Sequence, residues 1–196
     1  TIRCEHIGNT TFKVQNNNNH LTNIAEQDML PSEHADYLRT MNIKPKVIYD
    51  IGACVLHWTR KAKEVWPNAT YCLIDAAISV EPFLKASNNR YDIAVLAEKS
   101  GKHIDFYEDS ENPGGNSYYL ETTGAFTEKH KTSRLTSSLD DIVKTNNWPF
   151  PDLIKLDIQG AEIEALKGAS NCLKHCKDII LEAQHVEYNC LLYTSP

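Results

Sequence analysis

From Lys46 onward the chain alternates short apolar runs with amphipathic stretches, a pattern that restricts it to a parallel sheet covered by helices on both faces. Val47 to Ile51 predicts a buried strand closed by Gly52. A helix is expected over His57 to Val65, stopped by Pro67, then a strand over Thr70 to Ile74 closed by Asp75. A helix from about Val80 to Ala86 and a strand from Tyr91 to Leu96 complete a βαβαβ half, the unit that binds the nucleotide portion of a cofactor in doubly wound folds. Leu139 to Val143 opens another helix, and Leu153 to Leu156 predicts a buried strand closed by Asp157. Ala161 to Leu173 reads as one amphipathic helix with Ile163, Leu166 and Leu173 on one face. Ile179 to Leu181 is a last strand, closed by Glu182. The expected fold class is α/β, Rossmann-like, with a doubly wound and mostly parallel sheet.

Between Gly101 and Arg134 the rhythm lapses. His103 to Tyr107 reads as a strand, Glu111 to Asn116 as a loop, and Ser117 to Leu120 as the hairpin partner of that strand. An insertion of this kind lies over a site more often than it builds the core. The stretch Pro113 to Tyr119 reads equally as a hairpin turn or as a segment that closes over a ligand, with Tyr118 or Tyr119 stacking on it. Upstream, residues 1–45 predict an N-terminal extension packed on the core: a weak hairpin, the polar loop Asn16 to His20, and a helix entered at Pro31 and running through Leu38.

A length of 196 residues suits one domain rather than two. The net charge of −6, with no stretch that gathers Lys and Arg into a stripe, argues against nucleic acid and for a small-molecule partner. Arg60, Lys61 and Lys63 read as a solvated helix face. No apolar run approaches the roughly 20 residues of a membrane span. Of the six cysteines, Cys54 and Cys72 sit in or beside apolar runs where a free thiol acts as a small hydrophobe, so a reduced, cytoplasmic protein is expected. Cys172 and Cys176 lack partner ligands, and no metal is expected.

The acids at the strand ends carry the chemistry. Asp50-Ile51-Gly52-Ala53 places a turn, backbone N–H groups and a helix N-terminus at the carboxyl end of the first strand, where ligands bind in this fold class. Gly52 is expected to let a ligand reach the backbone. An acid at Asp50 repels a pyrophosphate but holds an ammonium, which favours S-adenosylmethionine over a dinucleotide. Asp75, followed by the small Ala76, is placed to accept the ribose hydroxyls. Val95 and Leu96, at the end of the third strand, are assigned to the same cofactor.

The third motif is Ile154-Lys155-Leu156-Asp157-Ile158-Gln159-Gly160-Ala161-Glu162. Together with Asp50-Ile51-Gly52-Ala53, Ser138-Leu139-Asp140-Asp141 and Ile180-Leu181-Glu182, it resembles the FkbM family of methyltransferases over about Val47 to His185. The resemblance implies a class I methyltransferase fold, S-adenosylmethionine as donor, and a hydroxyl acceptor on a sugar or secondary metabolite. It marks 46–189 as the methyltransferase domain. The chain departs from the family pattern at Cys54, where asparagine is usual, at Leu56, where a second glycine is usual, and at Gln159, where glutamate is usual. Leu56 bears on backbone approach to the methionine end, and Gln159 removes a charge.

Methyl transfer to a hydroxyl needs positioning and proton removal. Asp157, Glu162 and His185 are the catalytic candidates: His185 as general base, Asp157 facing the methionine end, and Glu162 as an acid that a helix N-terminus also favours. A nicotinamide-dependent dehydrogenase is disfavoured because Gly-x-Gly-x-x-Gly is absent. A non-catalytic or truncated cofactor-binding relative is the other reading. Residues 190–196 back-translate to a transposon end used in sequencing libraries and are expected to be a non-native tail. On that expectation the closing C-terminal strands of the fold are missing.

Overall fold

The computed structural model describes residues 3–6, 12–15, 21–24, 31–109, 115–120 and 126–181. Three short strands, β1 (Arg3–His6), β2 (Phe12–Gln15) and β3 (Leu21–Ile24), form an antiparallel sheet in that order, where the sequence predicts only a hairpin. Helix α1 (Pro31–Thr40) follows, and its Leu38 is buried in the core.

The central sheet is built from β4 (Val47–Ile51), β5 (Thr70–Asp75), β6 (Arg90–Ile93), β10 (Leu153–Leu156) and β11 (Asp178–Leu181). Its order is β11-β10-β4-β5-β6 and every pairing is parallel. The chain runs outward from β4 to β5 and β6, then returns to place β10 on the other flank of β4. The strand order therefore reverses beside β4, the position where doubly wound sheets bind ligands.

Alternate residues explain the two covered faces. Tyr49, Ile51, Cys72, Ile74, Ile154 and Leu156 pack with helices α4 (Leu139–Asn146), α5 (Glu162–Lys167) and α6 (Ser170–His175). Ile48, Tyr71, Leu73, Leu153 and Ile180 pack on the opposite face with α1, α2 (His57–Val65) and α3 (Glu81–Ala86). Trp58 of α2 is one of these core side chains. Tyr49 also donates its hydroxyl to the Pro149 carbonyl at 2.7 Å and meets Trp148 edge-on. Cys72, Cys172 and Cys176 are buried free thiols.

Three expectations need correction. The run from Tyr91 to Leu96 is not one strand: β6 stays with β5, while β7 (Val95–Leu96) leaves to pair with β9 (Lys131–Ser137). Strand β9 was not visible as a strand because it is polar and half solvated. It is also the antiparallel partner of β8 (His103–Tyr107), whereas Ser117 makes only an isolated bridge to Tyr107. The helix expected over Ala161 to Leu173 is broken. At Gly168 the backbone lies against the Ala97 carbonyl, so that a Cβ would stand 3.2 Å from its carbon. The second half restarts because Asp140 of α4 accepts from the Asn171 and Cys172 N–H groups, at 2.7 and 3.0 Å, and so caps α6. Within α5, Leu166 is buried while Ile163 is exposed.

Among the described residues no helix is long and apolar enough to cross a membrane. The expected non-native tail, residues 190–196, lies outside the described residues.

Candidate active site

A cleft of about 630 Å³, open mouth included, lies at the carboxyl ends of β4, β5, β7 and β10. Gly52, Asp75, Ala76, Val95, Leu96 and Asp157 all line it. Six residues from four separate stretches of sequence are thus brought together by strand ends.

Asp75 is 9% exposed. Its two oxygens accept from the Cys54 N–H at 2.7 Å and the Ala77 N–H at 2.8 Å. A carboxylate offers about four lone-pair sites, so two acceptor positions remain after those bonds. Burial pushes the Asp75 carboxyl up from the usual range, and the Ala77 and Cys54 N–H groups pull it back. Beside it Ala94, Val95, Leu96 and Phe106 form an apolar wall. Arg134 of β9 fixes the adjoining loop: it donates to the Ala76 carbonyl at 2.8 Å, pairs with Glu108 at 3.0 Å and lies over the Phe106 ring.

Asp50 and Ala53 are placed differently from expectation. Asp50 is 0% exposed and outside the cleft lining; its carboxylate accepts from Thr59 of α2 and pairs with Lys155 of β10 at 3.3 Å. Burial pushes the Asp50 carboxyl up, while the Lys155 charge and the Thr59 hydroxyl oppose that shift. Ala53 is buried in the core. Nor are the Gly52 and Ala53 N–H groups open to a ligand, since both donate to the Ile74 carbonyl, at 2.8 and 3.2 Å. Gly52, at φ +77°, is required for another reason: a Cβ there would overlap the Asp157 carbonyl. Close packing of two strand ends, not ligand approach, demands glycine.

Asp157 keeps a face toward the cleft, its side chain 35% exposed, with Gln159 donating to Oδ1 at 3.0 Å and Lys155 3.4 Å from Oδ2. Glu162 is placed as a clamp. Its Oε1 accepts from the Ile158 N–H at 2.9 Å and the Gly160 N–H at 3.3 Å, so the carboxylate serves the turn that opens α5 rather than the cleft. Burial pushes Glu162 up, against those same N–H groups. The insertion does reach the cleft: Asn116, Ser117 and Tyr118 line it, and the Ser117 hydroxyl donates to the Gln159 carbonyl at 2.9 Å. The Tyr118 and Tyr119 rings meet at 4.6 Å, and burial pushes the Tyr118 hydroxyl up, which keeps it neutral. His185 lies outside the described residues.

Lys155 is the residue to which the motif reading assigned no role. The signal was present, since it is the one charged residue inside the run Leu153 to Leu156 of a strand expected to be buried on both faces. Arg134 left no comparable trace, because β9 was not recognised.

The family model for the methyltransferase FkbM domain matches residues 50–190. The chain belongs to the FkbM methyltransferase family. Over 76 residues it is 32% identical to the hexuronic acid methyltransferase AglP of Haloferax volcanii, a match that covers 39% of this chain and 29% of that protein. No solved structure matches.

Within this FkbM chain the departures from the family pattern have distinct consequences. Leu56, at φ +70°, takes the left-handed conformation that glycine adopts cheaply, yet its side chain is 6% exposed in the core and outside the cleft lining. It therefore does not intrude on the cleft. Cys54, also at positive φ, lines the cleft through a half-buried thiol. Gln159 supplies an amide donor to Asp157 where a glutamate would set two carboxylates side by side.

Proposed function

We propose that this chain transfers a methyl group from S-adenosylmethionine to a hydroxyl oxygen of a carbohydrate. The observation that carries the reading is Asp75, an acid at the end of β5 held by two N–H groups, with two lone-pair sites left for the ribose hydroxyls and an apolar wall beside it for the adenine. These residues fit the cofactor: Asp75 would hold the ribose, Val95, Leu96 and Phe106 the base, and Asp157 the ammonium of the amino-acid end. When bound, S-adenosylmethionine supplies a methyl group on a sulfonium, ready for in-line attack.

The chain's own residues bind, orient and exclude water. Ser117 ties the insertion to the Gln159 turn across the cleft, which brings Tyr118 and Tyr119 to the acceptor side. Removal of the hydroxyl proton falls to His185, the titratable group that follows the last strand in sequence. A carbohydrate acceptor is supported by the name of the archaeal relative and by the paired tyrosines.

Calorimetric titration with S-adenosylhomocysteine, with NADH as control, tests the cofactor. Binding of the first alone is expected, and binding of NADH alone would overturn the reading. Transfer of labelled methyl to a panel of neutral sugars, uronic acids and non-sugar alcohols tests the acceptor. Transfer to a non-sugar alcohol alone would overturn the carbohydrate acceptor, and cofactor binding with no transfer to any member of the panel would reduce the proposal to a binding protein.

A further inference from the structure

An ammonium leaves water at a cost of several kcal/mol unless oxygens surround it, so a lysine inside a protein needs a reason. Lys155 is 3% exposed and stands in strand register opposite Asp50. Its Nζ lies 3.0 Å from the Gly52 carbonyl oxygen, 3.3 Å from Asp50 Oδ1 and 3.4 Å from Asp157 Oδ2. An ammonium has three donors, and here three oxygens from two strand ends surround it.

Stability alone does not account for this arrangement, because a buried ion pair replaced by apolar groups of similar volume is often neutral or stabilising. The charge arithmetic points elsewhere. With both carboxylates ionised, one ammonium between them leaves one negative charge. Asp50 is sealed from solvent and Asp157 is not, so the surplus faces the cleft at Asp157. The Gln159 amide holds the other Asp157 oxygen, which fixes the carboxylate from two sides.

We propose that Lys155 is a positioning residue for the amino-acid end of the cofactor: its ammonium holds the Asp157 carboxylate and the Gly52 turn in one geometry and leaves a single negative charge to receive a cation. The role rests on the S-adenosylmethionine reading above, and Lys155 itself stays out of contact with the ligand.

The test compares two ligands, S-adenosylhomocysteine and 5′-methylthioadenosine, which shares the adenosine but lacks the amino-acid end. Lys155→Met removes the cation, and the double variant Asp50→Asn with Lys155→Met removes both sealed charges so that no unpaired ion destabilises the fold. In calorimetry both variants are expected to lose roughly tenfold or more in affinity for S-adenosylhomocysteine while staying within about twofold for methylthioadenosine. Equal losses for both ligands would reduce Lys155 to a structural role, and unchanged S-adenosylhomocysteine binding in a folded variant would overturn the proposal. Failure of the wild type to bind S-adenosylhomocysteine would overturn the cofactor reading itself, and this role with it.

Discussion

The α-carbon of Gly52 is seated against the carbonyl group of Asp157, so that a methyl group added there would overlap the oxygen and stand 2.8 Å from the carbonyl carbon. The obstacle is backbone, which cannot swing aside, and the φ of +77° disfavours any side chain independently. Gly52→Ala is expected to cost about 3 kcal/mol or more in urea denaturation and to weaken both adenosyl ligands. A variant of wild-type stability would show that the two strand ends are free to separate.

Leu56 sets two effects against each other. Glycine at its φ of +70° would relieve about 1–2 kcal/mol of backbone strain. Loss of the buried isobutyl group costs about 3–5 kcal/mol. Leu56→Gly should therefore be less stable by about 2 kcal/mol, with cofactor affinity retained, as read by denaturation and calorimetry on the same sample. A stabilised variant would mean that the strain outweighs the packing.

Asp75→Asn replaces one acceptor oxygen by an amide that faces a backbone N–H. On the proposed binding mode the loss falls at the ribose, so S-adenosylhomocysteine and 5′-methylthioadenosine should weaken together, by roughly tenfold or more. This pattern contrasts with the selective loss expected at Lys155. Unchanged binding of both ligands would remove Asp75 from the site.

Asp152 pins the start of β4, its Oδ2 accepting from the Lys46 and Val47 N–H groups at 2.9 and 3.1 Å and its Oδ1 lying 3.2 Å from Lys177. Partial burial pushes its carboxyl up, but those N–H groups and the Lys177 ammonium outweigh that and leave it below the ordinary value. A depressed folded value means that its stabilisation is fully present above the unfolded value of about 3.9 and is lost as pH falls through the folded one. The stability gap between wild type and Asp152→Asn should hold steady from about pH 5 to pH 8 and narrow below about pH 4. A gap that widens on acidification would contradict the sign.

His185→Gln is expected to lower turnover by roughly 100-fold or more with cofactor affinity unchanged. Unaltered turnover would take His185 out of the mechanism.

The strand ends were legible because each is a local signal. Asp75 and Asp157 follow short apolar runs, and a run covered on both faces announces its own boundaries. Asp50 carries the same signal, but its apparent freedom was misleading. Whether a strand-end acid faces a ligand or a lysine depends on the neighbouring strand, and that neighbour lies 105 residues further along in sequence. Glu162 shows the same limit at short range, since the acid that a helix start favours proves to be consumed by the turn before it.

By itself the sequence determined the α/β class, the positions of β4, β5, β10 and β11, and the family, all of which follow from periodicity and from motifs read within a few residues. Only the tertiary structure decided that β9 takes β7 and β8, that Gly168 interrupts a helix against Ala97, and that Lys155 binds Asp50, Gly52 and Asp157 together. Apolar burial is set by each residue's own chemistry, whereas the partner of a buried charge is set by strand register, which no single stretch of chain contains.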